Sequence, residues 1–385
     1  MNKIKVLYII VGVGGSDKAL QNLLEEIEHD ITPVILTNNI PKFVKDSKYQ
    51  YYKTRYYFDS WPSRRSFQDL LKFPYRIIRN RIFNYLAYRK IISLCMSEKI
   101  DIIHTNSGIF QFGFKAAVKL NIPHIWHQRE HLDLLGIQPF PTYKSLLKKI
   151  RDKRNFSVAI TKGVFQHYAL NNNAKVIYDG VMKKSHVKLN KTKANYYLFV
   201  GAQTKQKGYD LVIKAYIDYL KNGNSCELWI AAENLNNGFT NSITNYIIQS
   251  GYEQKIKFLG FRKDIPNLML NAKALLATSR SEGFGLIVAE AMFLGCLVVA
   301  NNNTGIKEQL DNGFKSSNSE IGIRFQSQEE LTKILTKIDS NDYSSYTKMI
   351  TNAHKTASAL YSTENNAKQI LDVYSQLLNI NYKGS

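Results

Sequence analysis

The sequence predicts two doubly wound α/β domains in tandem, and three observations carry that expectation. At 385 residues the chain exceeds what one hydrophobic core usually holds. Short apolar runs alternate with helical patterns along both halves, as in strand–helix units of parallel sheets. Residues 183–195 interrupt the series with a polar, charged stretch poor in apolar side chains, as a linker would.

Taken in order, the first strand is expected at residues 3–11. It ends in Gly12-Val13-Gly14-Gly15-Ser16, and a helix is expected over 18–28. This loop lacks the third glycine of a dinucleotide fingerprint, having Asp17 or Lys18 near that place, so a nicotinamide enzyme is unsupported. Further strands are expected at 32–36, 101–104, 124–127, 158–160 and 175–178, and Asp179-Gly180-Val181 marks a turn. A second series opens at 196–200 and continues at 226–231, 256–259, 274–278 and 297–300. The last helix, 366–379, places Ile370, Val373, Tyr374, Leu377 and Leu378 on one face.

The 44% apolar and 22% charged fractions are those of a soluble globular protein. The apolar run at 4–13 is too short to span a bilayer and lacks a cleavage-site pattern, so no spanning segment is expected. Cys95, Cys226 and Cys296 lie far apart in no metal-like spacing, which predicts free thiols in a reducing cytosol. The net charge of +21 is uneven: residues 1–190 hold 31 Lys/Arg against 14 Asp/Glu, and residues 191–385 hold 21 against 17. In residues 51–90 ten Lys/Arg face only Asp59 and Asp69, with twelve aromatics interleaved. Basic residues draw a surface to anionic headgroups at about 1 kcal/mol each, and Tyr and Trp favour the interface. Residues 73–90 therefore read as a basic amphipathic helix lying on an anionic membrane, reinforced by the basic stretch 144–154. Many of these aromatics are also expected to pack the core. No nucleic-acid-binding motif accompanies the charge.

Residues 281–308, SEGFGLIVAEAMFLGCLVVANNNTGIKE, concentrate the chemistry. A glycine-bracketed loop feeds an apolar helix expected at 286–294, with Gly295 where a C-terminal cap belongs. Gly283 and Gly285 let backbone come close to a ligand and place amides at the helix N-terminus, an arrangement that holds phosphate. Glu290 lies in the apolar helix, where a carboxylate is costly unless a protein donor or ligand hydroxyls satisfy it. Glu282, eight residues earlier, lies in the loop on the ligand side of the helix start. The segment resembles the Glu-x7-Glu signature of retaining, nucleotide-sugar-dependent glycosyltransferases of family 4, in their capsule- and exopolysaccharide-type members.

That resemblance implies the GT-B fold, two Rossmann-like domains facing across a cleft. The N-terminal acceptor-side domain would comprise 1–182 with the C-terminal helix, 363–385, crossing back onto it, and the nucleotide-sugar-binding domain 196–362. It implies a ribose-binding role for Glu290 and a contact of Glu282 with hydroxyls of the transferred sugar. The Gly283, Phe284, Gly285 and Leu286 amides would meet the diphosphate. Gly201-Ala202-Gln203-Thr204-Lys205-Gln206-Lys207-Gly208 resembles the family's phosphate loop, with Lys207 as its lysine. Ala202 stands where an arginine is usual, and Lys205 could supply the charge. Phe261 and Arg262, after Leu259-Gly260, resemble the nucleobase loop; an ordinary strand-end turn is the alternative.

On the N-terminal side, Gly14, Gly15 and Ser16 match the glycine loop near diphosphate and acceptor. His127, Arg129 and Glu130 resemble the family's His-x-Arg-Glu segment, with His127 placed to contact the donor sugar. His104, at the end of the strand expected at 101–104, is a further candidate. No Asp-x-Asp occurs, which argues against the metal-dependent GT-A mechanism, and no zinc-like or Gly-x-Ser-x-Gly pattern is present. Neither metal nor cofactor is expected. The reading is a retaining hexosyltransferase, peripheral at the inner face of the cell membrane. It would move sugar from a UDP- or GDP-sugar to a polyprenyl-diphosphate-linked saccharide in capsule, exopolysaccharide or O-antigen assembly. A non-catalytic nucleotide- or membrane-binding subunit and a sugar-nucleotide epimerase are the alternatives. Nucleic acid is not expected as a partner.

Overall fold

The computed structural model of the chain describes residues 3–12, 14–61, 67–134, 136–186, 192–233 and 235–379. The chain forms two compact units, Met1–Gly180 with Thr363–Ser385, and Val181–Ser362. Of the expected linker 183–195, residues 187–191 lie outside the described residues, and Lys184–His186 forms a short 3-10 turn.

The first unit is built on a seven-stranded sheet of β1 (Ile4–Ile10), β2 (Ile31–Thr37), β3 (Gln50–Lys53), β4 (Ile102–Thr105), β5 (His124–Gln128), β6 (Asn155–Ala159) and β7 (Ala174–Val176). The strands run parallel in the order β3-β2-β1-β4-β5-β6-β7. Its helices are α1 (Gly15–Ile27), α2 (Lys42–Lys45), α3 (Phe67–Glu98), α4 (Phe112–Leu120), α5 (Tyr143–Ile150) and α6 (Lys162–His167). Alternation along the strands feeds a core on each face. Val6, Tyr8 and Ile10 pack with Leu20, Leu23, Leu24 and Ile27 of α1. Leu7 and Ile9 pack with Ile91, Leu94 and Cys95 of α3 and with Ala116 and Ala117 of α4.

The second unit has six parallel strands, β8 (Tyr196–Val200), β9 (Glu227–Ala231), β10 (Ile256–Phe258), β11 (Ala274–Ala277), β12 (Leu297–Asn301) and β13 (Ile323–Phe325), in the order β10-β9-β8-β11-β12-β13. Its helices are α7 (Tyr209–Lys221), α8 (Gly238–Ser250), α9 (Ile265–Asn271), α10 (Leu286–Phe293), α11 (Thr304–Ser317), α12 (Gln328–Ser340) and α13 (Thr347–Leu360). The final helix, α14 (Thr363–Leu378), belongs to the first unit, where Ala367, Ile370, Val373 and Tyr374 enter the core beside α1.

Four elements depart from the sequence expectation. The edge strands β3 and β13 were not foreseen, because QYYK is largely exposed and IRF is only three residues long. The amphipathic helix expected at 73–90 is far longer, beginning at Phe67 and holding Pro74 inside it. The glycine-loop helix α1 starts three residues before the expected 18, at Gly15. Among the described residues no helix is long and apolar enough to cross a membrane, and no group of three His, Cys, Asp or Glu could hold a metal ion. The three cysteines are buried thiols, each pushed up to about 12 by burial.

Candidate functional site

In the second unit the loops after β8 and β11 are tied together. Thr278 Oγ1 donates to the carbonyls of Lys207 (3.0 Å) and Gly208 (3.1 Å), and Gln206 Nε2 donates to the Ser281 carbonyl (3.0 Å). This clamp sets Lys207 Nζ 2.6 Å from Glu282 Oε1, which also accepts from Ser279 Oγ at 2.7 Å. Gly208 makes the close approach feasible: its φ is +69°, and a Cβ there would lie 2.0 Å from the Thr278 carbonyl oxygen. Gly208→Ala is therefore expected to destabilise the second unit by about 2 kcal/mol or more, from left-handed strain plus displacement of the Thr278 backbone. A melting temperature equal to that of the unmodified chain would refute this.

Glu282 also anchors its own loop. Its amide donates to Thr304 Oγ1 (2.9 Å), and its carbonyl accepts from the Gly305 amide (3.1 Å) at the start of α11. Gly285 caps α10 at φ +91°, and Gln309 Nε2 donates to the Phe284 and Gly285 carbonyls at 2.6 and 3.1 Å. The carbonyls are thus engaged inside the fold, and the loop enters α10 through a left-handed glycine. Glu290 is half-buried on α10. Lys205 is exposed and, among the described residues, in no ion pair, as is Ala202 exposed; nearby Arg280 is bidentate on Asp210 at 2.7 and 2.9 Å. Phe261 is exposed, and Arg262 closes on Asp264 at 2.8 and 2.7 Å.

In the first unit, Gly14 has φ +94° with open space where a Cβ would stand, Gly15 opens α1, and the Ser16 carbonyl accepts from Asn106 Nδ2 (3.2 Å). The strand ends of β4 and β5 bring together the His-x-Arg-Glu segment. Arg129 is buried and its guanidinium is fully engaged: Nη1 on both Asp179 oxygens (2.8 and 2.7 Å), Nε and Nη2 on Asn106 Oδ1 (3.2 and 3.0 Å). Its charge is neutralised inside the unit, and its geometry is that of an organiser on the acceptor-side segment.

Arg129 Nη2 also approaches His127 Nδ1 at 3.5 Å, and His104 Nε2 lies 3.4 Å from the same atom. A guanidinium only donates, so His127 Nδ1 accepts and the proton resides on Nε2. His104 then donates from Nε2 and accepts at Nδ1 from Tyr374 Oη (2.9 Å), which lies 2.6 Å from Tyr8 Oη. Burial first, then the Arg129 charge, holds His127 well below its ordinary range and His104 at about 3, so both rings are neutral. His127 Nε2–H, both Asp17 oxygens, the Gln128 amide and Glu130 Oε2 are buried with no hydrogen-bond partner. Orphaned polar atoms at the carboxyl ends of parallel strands are what a polar ligand would satisfy.

Burial pushes Asp17 up to about 6 and Glu130 up to about 7, outweighing the lowering by Arg129 in both. A carboxyl raised in the folded state stabilises the fold most below its ordinary 4.5, and that contribution is lost as pH rises through about 7. Glu130→Gln is expected to flatten the fall in stability between these two values. The check is the urea midpoint as a function of pH; parallel curves for both proteins would contradict it.

Sequence reasoning missed Asp17 and Asp179 as site members. The signal was present in part: an acid in the first turn after the glycine loop, and an acid three residues after the last strand of the unit. Asn106 and Tyr374 carried no comparable signal, since their roles depend on partners 23 or more residues away.

Two parallel α/β sheets of this order, with a glycine-led turn from the first strand into the first helix of each unit, define a GT-B-like fold. Residues 181–356, which lie within the second unit, match the family model for glycosyl transferases group 1. Among curated relatives, an uncharacterized glycosyltransferase of Methanocaldococcus jannaschii is 28% identical over 235 residues, 59% of this chain and 63% of its own length. The chain thus spans less than two thirds of that relative. An uncharacterized glycosyltransferase of Haemophilus influenzae is 24% identical over 89% of this chain and 91% of its own length. The crystal structure of Anabaena HepE in complex with UDP and glucose superposes with a TM-score of 0.76 at 18% identity, covering 97% of this chain and all of that one.

Proposed function

We propose that the chain transfers a sugar from a nucleotide-diphosphate donor, a UDP- or GDP-sugar, to a hydroxyl of a saccharide acceptor with retention of configuration. The observation that carries this reading is the Lys207–Glu282 pair, 2.6 Å apart beside the glycine-led start of α10, in the unit that matches group 1 glycosyl transferases. Lys207, the amides of 283–286 and the α10 dipole would stabilise the departing diphosphate as the sugar gains oxocarbenium character. Release of Lys207 from Glu282 leaves the carboxylate to accept hydroxyls of the sugar. Lys205 supplies the charge that Ala202 lacks, Phe261 and Arg262 border the nucleobase, and Glu290 accepts from the ribose. From the first unit, His127 Nε2–H donates to the sugar, held by Arg129, with Gly14, Gly15, Ser16 and Glu130 lining the acceptor side. No step in this scheme calls on a metal or cofactor.

The acceptor we propose is lipid-linked, in surface-polysaccharide assembly at the inner membrane face. A nucleotide-binding subunit without turnover has Ala202 in its favour and the Lys207–Glu282 pair against it. Calorimetric titration with UDP and GDP tests the donor assignment. Glu290→Ala should weaken the preferred nucleotide about tenfold or more, the worth of hydrogen bonds to a charged acceptor. Unchanged affinity would remove the ribose role.

A further inference from the structure

Helix α3 leaves one face without a partner. Phe67, Leu71, Tyr75, Ile78, Ile82 and Leu86, at spacings of three and four, are all strongly exposed, Phe67 at 77% and Tyr75 at 71%. Lys72, Arg76, Arg79, Arg89 and Lys90 lie on the same helix, and among the described residues none of them pairs with a carboxylate. An apolar stripe beside cations that meet no carboxylate matches an anionic lipid surface, not a second protein face.

The border of this stripe opens into a cavity of about 350 Å³ within the first unit. Arg81, Asn84, Tyr85 and Tyr88 of α3 form one wall; Lys115 of α4 and Lys149 of α5 stand with the loops following β3, β4 and β5 around the rest. These loops follow the carboxyl ends of parallel strands, where such sheets take ligands. The lining holds Arg81, Lys115 and Lys149 against the single acid Asp59, and among the described residues none of the three cations is in an ion pair. Lys149 donates to Gln111, and Arg81 lies 5.7 Å from the Phe140 ring. Asp59, the one acid of the lining, is held among these cations.

We propose that this cavity binds the phosphate or diphosphate headgroup of a membrane lipid while the exposed stripe of α3 lies in the bilayer surface. The site rests on the transferase reading only in that such a lipid would be the acceptor; binding itself requires neither donor nor turnover, so either claim can fail alone. Arg81, Lys115 and Lys149 neutralise the headgroup.

Flotation with phosphatidylcholine vesicles carrying polyprenyl phosphate, against vesicles of equal charge carrying phosphatidylglycerol, tests the site. The full chain should bind the prenyl phosphate vesicles about tenfold more tightly, and Lys115→Gln with Lys149→Gln should abolish that preference while leaving phosphatidylglycerol binding intact. Leu71→Ser with Tyr75→Ser and Ile82→Ser, all at exposed positions, should weaken binding to both vesicles about tenfold or more. Equal prenyl phosphate binding by the lysine variant and the unmodified chain would overturn the cavity assignment. Undiminished binding by the serine variant would overturn the role of the stripe. Binding of free inorganic diphosphate as tight as that of the lipid would overturn the lipid assignment in favour of a soluble phosphate.

Discussion

Lys207→Ala is expected to lower sugar transfer by about 10²–10³-fold, the usual consequence of removing one preorganised charge from a site where negative charge develops. The same change should hardly alter folding stability. The ammonium is paired with Glu282 at 2.6 Å, its side chain 37% exposed, and such partly exposed pairs contribute only about 0–1 kcal/mol. A large kinetic loss at constant melting temperature distinguishes a catalytic lysine from one that merely ties two loops. Loop tying is already supplied by Thr278 and Gln206, which hold the same backbone segments without any charge. Lys207→Arg keeps the charge but exchanges a point ammonium for a planar fork, and should recover only part of the rate. A proportionate loss of rate and stability in Lys207→Ala would assign the residue to structure instead.

The largest effect on stability is expected at Asp179. Its carboxylate and the Arg129 guanidinium are only 5% and 6% exposed, and two contacts of 2.7 and 2.8 Å join them. Asp179→Ala leaves a buried guanidinium with Asn106 as its main remaining acceptor, at a cost of about 3–5 kcal/mol. Replacing both partners, Arg129→Met with Asp179→Leu, should cost much less, because no uncompensated charge remains. Denaturant midpoints of the single and double variants check this directly; additive losses would show that the pair is not acting as a unit. The double variant should nevertheless lose transfer activity, since His127 Nδ1 would lose its guanidinium donor and with it one fixed tautomer.

The repeating apolar runs made the sheets legible, and the glycine loops made the strand-to-helix turns legible, because both are local patterns. Strand β8 was readable as Tyr196–Val200 since every inward position is apolar; β3 was not, since an edge strand need bury little and QYYK carries no alternation. The site was readable to the extent that chemistry sits on a motif: Glu282, Lys207 and the His127 segment were all visible as residues. Their pairings were not. Lys207 meets Glu282 across 75 residues and Arg129 meets Asp179 across 50, distances over which spacing carries no information. Residues 51–90 show the same limit. Charge and aromatic content pointed to a surface role, but only the fold separates Tyr56, buried in the core, from Tyr75 and Tyr85, which face outward. Within that stretch, residues 62–66, including Arg64 and Arg65, lie outside the described residues.

The central claim is that the Lys207–Glu282 site acts on a nucleotide sugar. Incubation of the full chain with a panel of UDP- and GDP-sugars, with and without a polyprenyl-diphosphate-linked saccharide, tests it most directly through release of the nucleoside diphosphate. Release is expected from one donor, dependent on acceptor and abolished by Lys207→Ala. Release from no donor under either condition, with nucleotide still bound, would contradict it and leave a binding subunit; release indifferent to acceptor would leave hydrolysis or epimerisation.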